Sequence, residues 1–146
     1  MNPTQKLSEE IKNAMRARDQ VRLDTLRYLS AQIKNAEIDK GLNATLTEDE
    51  FIKVVQKQVK NSAEAIEQYR QGNRQDLIDS EHVKVEIMKE FLPKALSEDE
   101  LKAIISQLKV ENPDLAIGPL TGLVMKAVAG RADGRQVSTL IRQLEE

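Results

Sequence analysis

The chain has 146 residues, carries 22 basic and 24 acidic side chains for a formal net charge of −2, and contains no cysteine. Its length supports one or two small domains with a hydrophobic core, and the lack of cysteine excludes a disulfide framework, a zinc–thiolate site and a cysteine nucleophile. The net charge argues against a protein that binds nucleic acid over its whole surface, so any such binding must come from a local basic patch.

No stretch of the sequence approaches the roughly 20 apolar residues that a membrane-spanning helix needs. The first residues also lack the uninterrupted apolar run of a secretory signal peptide. We therefore expect a soluble protein that does not associate with membranes. A reducing cytoplasm suits a chain without cysteine, and we expect a cytoplasmic location.

Apolar residues recur three or four positions apart throughout the chain, and no segment alternates with a period of two. This pattern predicts an all-α fold in which each helix buries one face. The second helix is expected to run from about Asp19 to Gly41. The residues expected on the buried faces of the first two helices are Leu7, Ile11, Ala14 and Met15, then Val21, Leu26, Leu29, Ile33 and Ile38.

Two capping boxes mark the starts of later helices. In each box a hydroxyl, that of Thr47 or Ser97, accepts a free helix N–H, and the carboxylate three residues later, Glu50 or Glu100, accepts the N–H of the cap residue. Between these two helices the pattern predicts one more, and Asn73 is a suitable residue to cap its start.

The step from Leu92 to Pro93 predicts the end of a helix, because proline disfavours a helical residue before it and has no N–H to donate. The predicted helices are long before this step and short after it. We therefore expect two parts: a helical N-terminal subdomain at 1–92 and a small helical C-terminal subdomain at 93–146.

The most informative segment joins the last two predicted helices. Gly130 is suited to the left-handed conformation that ends a helix, Asp133 is suited to cap the next helix, and Gly134 completes the turn. Residues 119–142 hold four basic side chains against one acidic side chain, a local charge of +3. The four are expected to gather at one helix-turn-helix corner and to contact an extended anion such as a nucleic-acid backbone: Lys126, Arg131, Arg135 and Arg142. The alternative is a structural turn with solvated arginines.

A second basic surface is possible on the second helix, where Arg22, Arg27 and Lys34 alternate with Asp24 and Glu37. The favoured interpretation is an exposed helix face with ion pairs inside the helix.

Four blocks in the chain resemble the YqeY-like family, which is related to the tail domain of the B subunit of bacterial tRNA-dependent amidotransferases. The resemblance runs nearly end to end, and its blocks are Ser30–Ile38, Arg74–Leu77, Phe91–Pro93 with Leu96–Leu101, and Val124–Lys126 with Gly130–Gly134.

The resemblance implies an all-helical protein whose smaller C-terminal part corresponds to a tail that binds tRNA in the relatives. A similar module assists tRNA binding in some glutaminyl-tRNA synthetases. The basic corner of the tail falls on Lys126, Gly130, Arg131, Asp133 and Gly134. Two departures weaken this correspondence. Pro119 and Ala129 stand where family members often have lysines, which lowers the expected phosphate affinity, and Phe91 replaces the more usual tyrosine, which is expected to change only packing.

The family label implies a carbon–nitrogen ligase that uses glutamine, but the catalytic groups of such an enzyme are missing from the sequence. There is no cysteine or glycine-flanked serine nucleophile, and no glycine-rich loop for ATP phosphates. We expect no catalytic residue, cofactor or metal, and His82 is a lone histidine. The leading hypothesis is a non-catalytic accessory protein with weak, salt-sensitive tRNA binding. The alternatives are a protein-interaction module that docks on an amidotransferase or an aminoacyl-tRNA synthetase, and an accessory part of an amidotransferase assembly.

Overall fold

The computed structural model describes residues 2–128 and 131–145, and within these residues it contains seven α-helices and no strand, which confirms the all-α prediction. Gly130, part of the predicted corner, lies outside the described residues. In chain order the helices are α1 (Pro3–Ala17), α2 (Gln20–Lys40), α3 (Glu48–Gln71), α4 (Gln75–Lys89), α5 (Glu98–Glu111), α6 (Ile117–Val128) and α7 (Gly134–Glu145).

The chain divides into two compact units, Met1–Leu92 and Pro93–Glu146. The first unit contains α1 to α4 and the second contains α5 to α7. Each unit has its own cluster of buried apolar side chains, so each has a hydrophobic core of its own.

Local side-chain caps start several of these helices. The boxes at Thr47 and Ser97 form as predicted, with each hydroxyl and each partner carboxylate accepting the expected N–H. A third box, missed in the sequence, starts α1: Asn2 Oδ1 accepts from the Gln5 N–H at 2.8 Å, and Gln5 Oε1 accepts from the Asn2 N–H at 3.0 Å. Each cap satisfies a backbone group that the helix itself leaves free.

The prediction that Asn73 caps the start of α4 is wrong. Asn73 has a φ of 56° and instead closes α3, where the Arg74 N–H donates to the Tyr69 carbonyl at 2.9 Å. Asparagine tolerates this left-handed conformation, and the hydrogen bond is typical of a helix C-terminus. The cap position of α4 falls on Arg74, which makes no side-chain capping bond.

In the first unit, α3 packs along α4, and α2 packs against α1, α3 and α4. The rings of Phe51 and Phe91 lie 6.4 Å apart at their centroids, and Lys6 Nζ lies 5.2 Å from the Phe91 centroid. The central buried residues are Leu7, Leu26, Leu29, Ile33, Phe51, Val55 and Met88.

In the first two helices, three apolar residues predicted to be buried are instead exposed. Met15, Val21 and Ile38 retain 52%, 59% and 74% of their accessible surface. Each lies in the first or last turn of its helix, where the helical period continues but no neighbouring element covers the side chain.

In the second unit, α6 packs against α5 and α7, and α5 also contacts α7. Its core is aliphatic and contains Leu96, Leu101, Ile105, Leu120, Val124, Val128, Val137, Leu140 and Ile141. Among the described residues, no helix has the length and apolar character to cross a membrane.

Candidate nucleic-acid interface

The predicted corner lies between the end of α6 and the start of α7, inside the second unit. Asp133 Oδ1 accepts from the Arg135 N–H at 2.8 Å, and its carbonyl accepts from the Val137 N–H at 3.0 Å. The carboxylate thus accepts a hydrogen bond from one of the N–H groups that the start of α7 leaves without a partner in the helix. Gly134 is the first residue of α7, and a Cβ there would meet only the Met125 side chain at ordinary contact distance.

Arg131 links the corner to the segment that precedes α5. Its Nε donates to the Lys94 carbonyl at 3.0 Å, and its own carbonyl accepts from the Leu96 N–H at 2.9 Å. These bonds give Arg131 a structural role that its sequence position does not reveal. They also bring the backbone of a further basic residue, Lys94, to the corner, although sequence reasoning did not include it.

The other predicted cations occupy different positions along α6 and α7. Lys126 is exposed in the last turn of α6, and Arg135 is exposed in the first turn of α7. Arg142 lies seven residues beyond Arg135, which is about 10 Å along the helix axis on nearly the same face. The structure therefore places Arg142 near the other end of α7 rather than at the corner.

In the part of the second unit that the structure describes, most cations have no acidic partner. Lys102 pairs with Glu98 at 3.3 Å, and Lys109 pairs with Glu145 at 3.6 Å. Counting only the described residues, no carboxylate oxygen lies within 4.0 Å of a side-chain nitrogen of the remaining five basic residues, which are Lys94, Lys126, Arg131, Arg135 and Arg142. All five are exposed, so their charges are available to an anionic partner.

Acidic groups reduce the positive charge of this surface on one side. A shallow depression of about 380 Å³ beside the start of α7 is lined by Glu98 and Asp133 as well as by Arg135. Because Asp133 already accepts the Arg135 N–H, an approaching phosphate would compete with a carboxylate for that helix terminus. The side chains of the cations, rather than the backbone N–H groups, must supply most of the attraction.

Arg22 does not contribute a free charge to the second basic surface predicted on α2, because it is paired with carboxylates. Arg22 donates to both oxygens of Glu90, at 2.6 and 3.1 Å, and to Glu10 at 2.9 Å. The hydrogen bonds to Glu90, followed by those to Glu10, raise the pKa of Arg22. Ion pairs within α2 were predicted for Arg22. It pairs instead with Glu10 of α1 and with Glu90, the residue that follows α4. Arg27 and Lys34 remain exposed.

No group of three or more histidine, aspartate or glutamate side chains within the described parts of the chain is arranged to hold a metal ion. His82 is exposed on α4. The corner offers charge and hydrogen-bond donors, which suit the binding of an anion.

The sequence is similar to a family and to several fungal proteins. The family model described as Yqey-like protein matches residues 4–144. A protein from Pyrenophora tritici-repentis, named altered inheritance of mitochondria protein 41, mitochondrial, is 30% identical over 145 residues, which cover 95% of this chain and 78% of that protein. Proteins of the same name are 33% identical in Lachancea thermotolerans, over 76% of this chain and 62% of the relative, and 31% identical in Clavispora lusitaniae, over 78% and 69%.

The predicted cytoplasmic location is contradicted by these relatives, whose names describe mitochondrial proteins. The prediction depended on the absence of cysteine and of a recognisable targeting segment. A lack of cysteine is equally compatible with any other reducing, aqueous compartment, so the composition carries no information that separates them.

Proposed function

Because this chain belongs to the YqeY-like family, we propose that it is a non-catalytic accessory protein that binds tRNA through a basic corner. The basic corner consists of Lys94, Lys126, Arg131 and Arg135, and Arg142 extends it along α7. The family resemblance supports tRNA as the partner, since the related amidotransferase tail binds tRNA.

One observation carries this proposal: among the described residues, none of the four cations of the basic corner has a carboxylate partner. An ion-paired lysine loses its acidic partner when it binds a phosphate, whereas an unpaired cation gives up only water and counterions. Both terminal nitrogens of Arg131 stay available, because only its Nε is used by the Lys94 carbonyl. We expect shape-dependent and salt-sensitive binding without base recognition at this corner.

The experiment is a titration of labelled tRNA into the full-length protein at several salt concentrations. The variant Lys126→Ala/Arg135→Ala removes two unpaired cations, and we expect it to bind more weakly and to reduce the salt slope by roughly two units, about one for each lost contact. Lys102→Ala/Lys109→Ala is the matched control, because it removes the same charge from the same unit but takes it from ion pairs. Equal losses in both variants, or no binding by the wild type at low salt, would overturn the proposal.

The absence of catalysis is part of this proposal and has its own test. We expect the purified protein to release no ammonia from glutamine and to hydrolyse no ATP, since the sequence has no cysteine, no glycine-flanked serine nucleophile and no glycine-rich phosphate-binding loop. Robust ammonia release would contradict it. Activity that appears only when amidotransferase subunits are added would support an accessory part of that assembly.

A protein-interaction module is the second candidate, and two exposed side chains favour it. Ile38 and Leu42, near the end of α2, retain 74% and 96% of their accessible surface. Contiguous exposed apolar patches mark surfaces that bind other proteins, and these two residues stand four positions apart in the sequence. If this candidate is correct, Ile38→Ser/Leu42→Ser abolishes association with an amidotransferase or a synthetase, and Lys126→Ala/Arg135→Ala leaves it unchanged.

A further inference from the structure

The first unit contains a cavity that the basic corner does not involve. It has a volume of about 520 Å³ and lies between α2, α3 and α4. This volume falls within the range of small-molecule sites. Its rim is exposed and includes Val21, Tyr28 and Lys84, whereas its floor is formed by buried residues.

The floor of the cavity contains three polar side chains beside the buried Met88, which is unusual for a helical core. Thr25, Gln58 and Ser62 are only 5%, 5% and 8% exposed, and they are the three buried polar residues of the described chain. Thr25 Oγ1 is satisfied within its own helix, by the Val21 carbonyl at 3.0 Å. The other two side chains have unused hydrogen-bonding capacity.

Gln58 uses its oxygen but not its nitrogen. Its Oε1 accepts from the Tyr28 hydroxyl at 2.9 Å, whereas neither Gln58 Nε2 nor Ser62 Oγ bonds to another described residue. No buried side-chain atom in the described chain is both sealed from solvent and unpartnered, so these two atoms have access to the cavity. A ligand in the cavity that bonds to both atoms takes the place of the water that they contact.

Tyr28 provides the cavity with a flat apolar surface. Its side chain is 51% exposed at the rim, and the hydrogen bond from its hydroxyl to Gln58 holds the ring in place. A held aromatic ring with a free surface is a platform for stacking a planar ligand.

The charges around the rim disfavour an anionic ligand. Glu81 and Lys84 neutralise one another through an ion pair of 3.0 Å, so Asp24 leaves a net negative charge. Asp24 Oδ1 accepts from Gln20 Nε2 at 2.7 Å, and its other oxygen can accept a further donor. A phosphate or carboxylate inside this cavity would be repelled, whereas a neutral ring with an amino group would be accepted.

We propose that this cavity binds an adenine ring. The ring stacks on Tyr28, and its amino group and ring nitrogen pair with the amide of Gln58, whose oxygen keeps a second lone pair beside the Tyr28 bond. An amide matches the adjacent acceptor and donor of adenine in this way. Ser62 offers a further donor or acceptor at the floor. The source of the ring is a free nucleoside or an unpaired adenosine of an RNA, and both present the same edge.

The test is a titration of the isotope-labelled full-length protein, followed by backbone amide shifts. The probes are adenosine, AMP, uridine, and the trinucleotides CCA and CCU. We expect adenosine to shift the amides of Tyr28, Gln58 and Ser62, AMP to bind no more tightly than adenosine, and uridine to bind about tenfold more weakly. Shifts with CCA but with neither adenosine nor CCU would identify RNA as the source of the ring and would also support the proposal.

Two variants test the contributions of the Tyr28 ring and of the Ser62 hydroxyl to binding. Tyr28→Ala is expected to weaken adenosine binding by about tenfold, and Ser62→Ala by about fivefold. Tyr69→Ala, which removes a partly exposed ring of α3 that does not line the cavity, is the control and should leave binding unchanged.

Two results would overturn the proposal. One is that no adenine-containing probe shifts these three amides. The other is that adenosine and uridine bind with the same affinity, both to the wild type and to Tyr28→Ala. Lys126→Ala/Arg135→Ala should leave adenosine binding unchanged. Failure of the cavity proposal is therefore distinguishable from failure of the basic corner.

Discussion

At the scale of single residues, the cations of this chain have different roles because their partners differ. Arg22 is held by two carboxylates, whereas Arg135 has no acidic partner within 4.0 Å among the described residues. Arg131 is intermediate, since one of its nitrogens binds a backbone carbonyl. The number of basic residues is therefore a weaker guide to an anion-binding surface than the number left without a partner.

Replacing Arg22 should destabilise the first unit. Arg22→Met keeps much of the aliphatic stem but removes the hydrogen bonds to Glu10 and Glu90, so we expect a loss of about 1–2 kcal/mol in the free energy of unfolding. Arg70→Met is the control, because it breaks a well-exposed pair with Glu67 on the same helix and should cost less than about 0.5 kcal/mol. Urea denaturation measures both changes, and equal losses would contradict the structural role of Arg22.

Asp133 affects stability and anion binding in opposite ways. Asp133→Ala removes the acceptor for the Arg135 N–H and should cost about 1 kcal/mol of stability. Asp133→Asn keeps an acceptor but removes the negative charge, so stability should change by less than about 0.5 kcal/mol while tRNA binding strengthens. Thermal melts and tRNA titrations measure the two effects. Weaker tRNA binding by the asparagine variant would show that the carboxylate does not oppose the phosphate.

At the scale of elements, the capping boxes at Thr47 and Ser97 differ in their surroundings. The Glu50 carboxylate accepts from Lys40 Nζ at 2.6 Å as well as from the Thr47 N–H, so it joins the start of α3 to the end of α2. The Glu100 carboxylate accepts only the Ser97 N–H among the bonds of the described residues. The same local motif thus serves a tertiary contact in the first unit and only a local cap in the second.

The lowered pKa of Glu50 predicts that the stability of the folded protein depends on pH. The hydrogen bond from Lys40, followed by those from Thr47, lowers the pKa of Glu50 from 4.5 to about 2. Because the folded state holds this carboxyl ionised, its stabilising effect is complete above the unfolded pKa and is lost as the pH falls from about 4.5 towards 2. The melting temperature of Glu50→Gln should lie below that of the wild type at pH 6, and the difference should shrink towards pH 2.5.

Glu100→Gln is the matched variant for this measurement, since it alters the same position of a capping box without a lysine partner. We expect it to change the melting temperature less than Glu50→Gln does at pH 6. If the difference in melting temperature between the wild type and Glu50→Gln stays constant from pH 6 to pH 2.5, the contribution of Lys40 is contradicted.

At the scale of the whole molecule, the chain has two hydrophobic cores, one in each unit. The second core is the smaller, but it contains side chains from all three helices of its unit, including Leu101 of α5, Val124 of α6 and Val137 of α7. Folding of this unit therefore depends on contacts that it contains itself, although a domain of this size has only marginal stability.

A fragment of residues 93–146 should fold alone. We expect a helical circular dichroism spectrum and a cooperative melt, and we expect Leu101→Ala to unfold the fragment, because removing a fully buried leucine costs about 2–5 kcal/mol. Val110→Ala, at a position that is 80% exposed, should have little effect. A spectrum typical of an unfolded chain from the unaltered fragment would contradict an independent core.

The sequence by itself determined the helical character of the chain and most helix boundaries, because these depend on residues three or four positions apart. The boxes at Thr47 and Ser97 and the end of α2 near Gly41 belong to this class. Asn73 is an exception, since asparagine serves equally well at the start of a helix and in the left-handed residue that closes one.

Only the tertiary structure decided which side chains meet. The sequence could indicate a run of cations between α6 and α7, but not that Arg131 binds a carbonyl 37 positions earlier and brings Lys94 to the same corner. It likewise could not show that Gln58 and Ser62 would form the floor of a cavity. Such contacts depend on how helices pack against one another, and the periodicity of a single helix specifies a face but not what covers it.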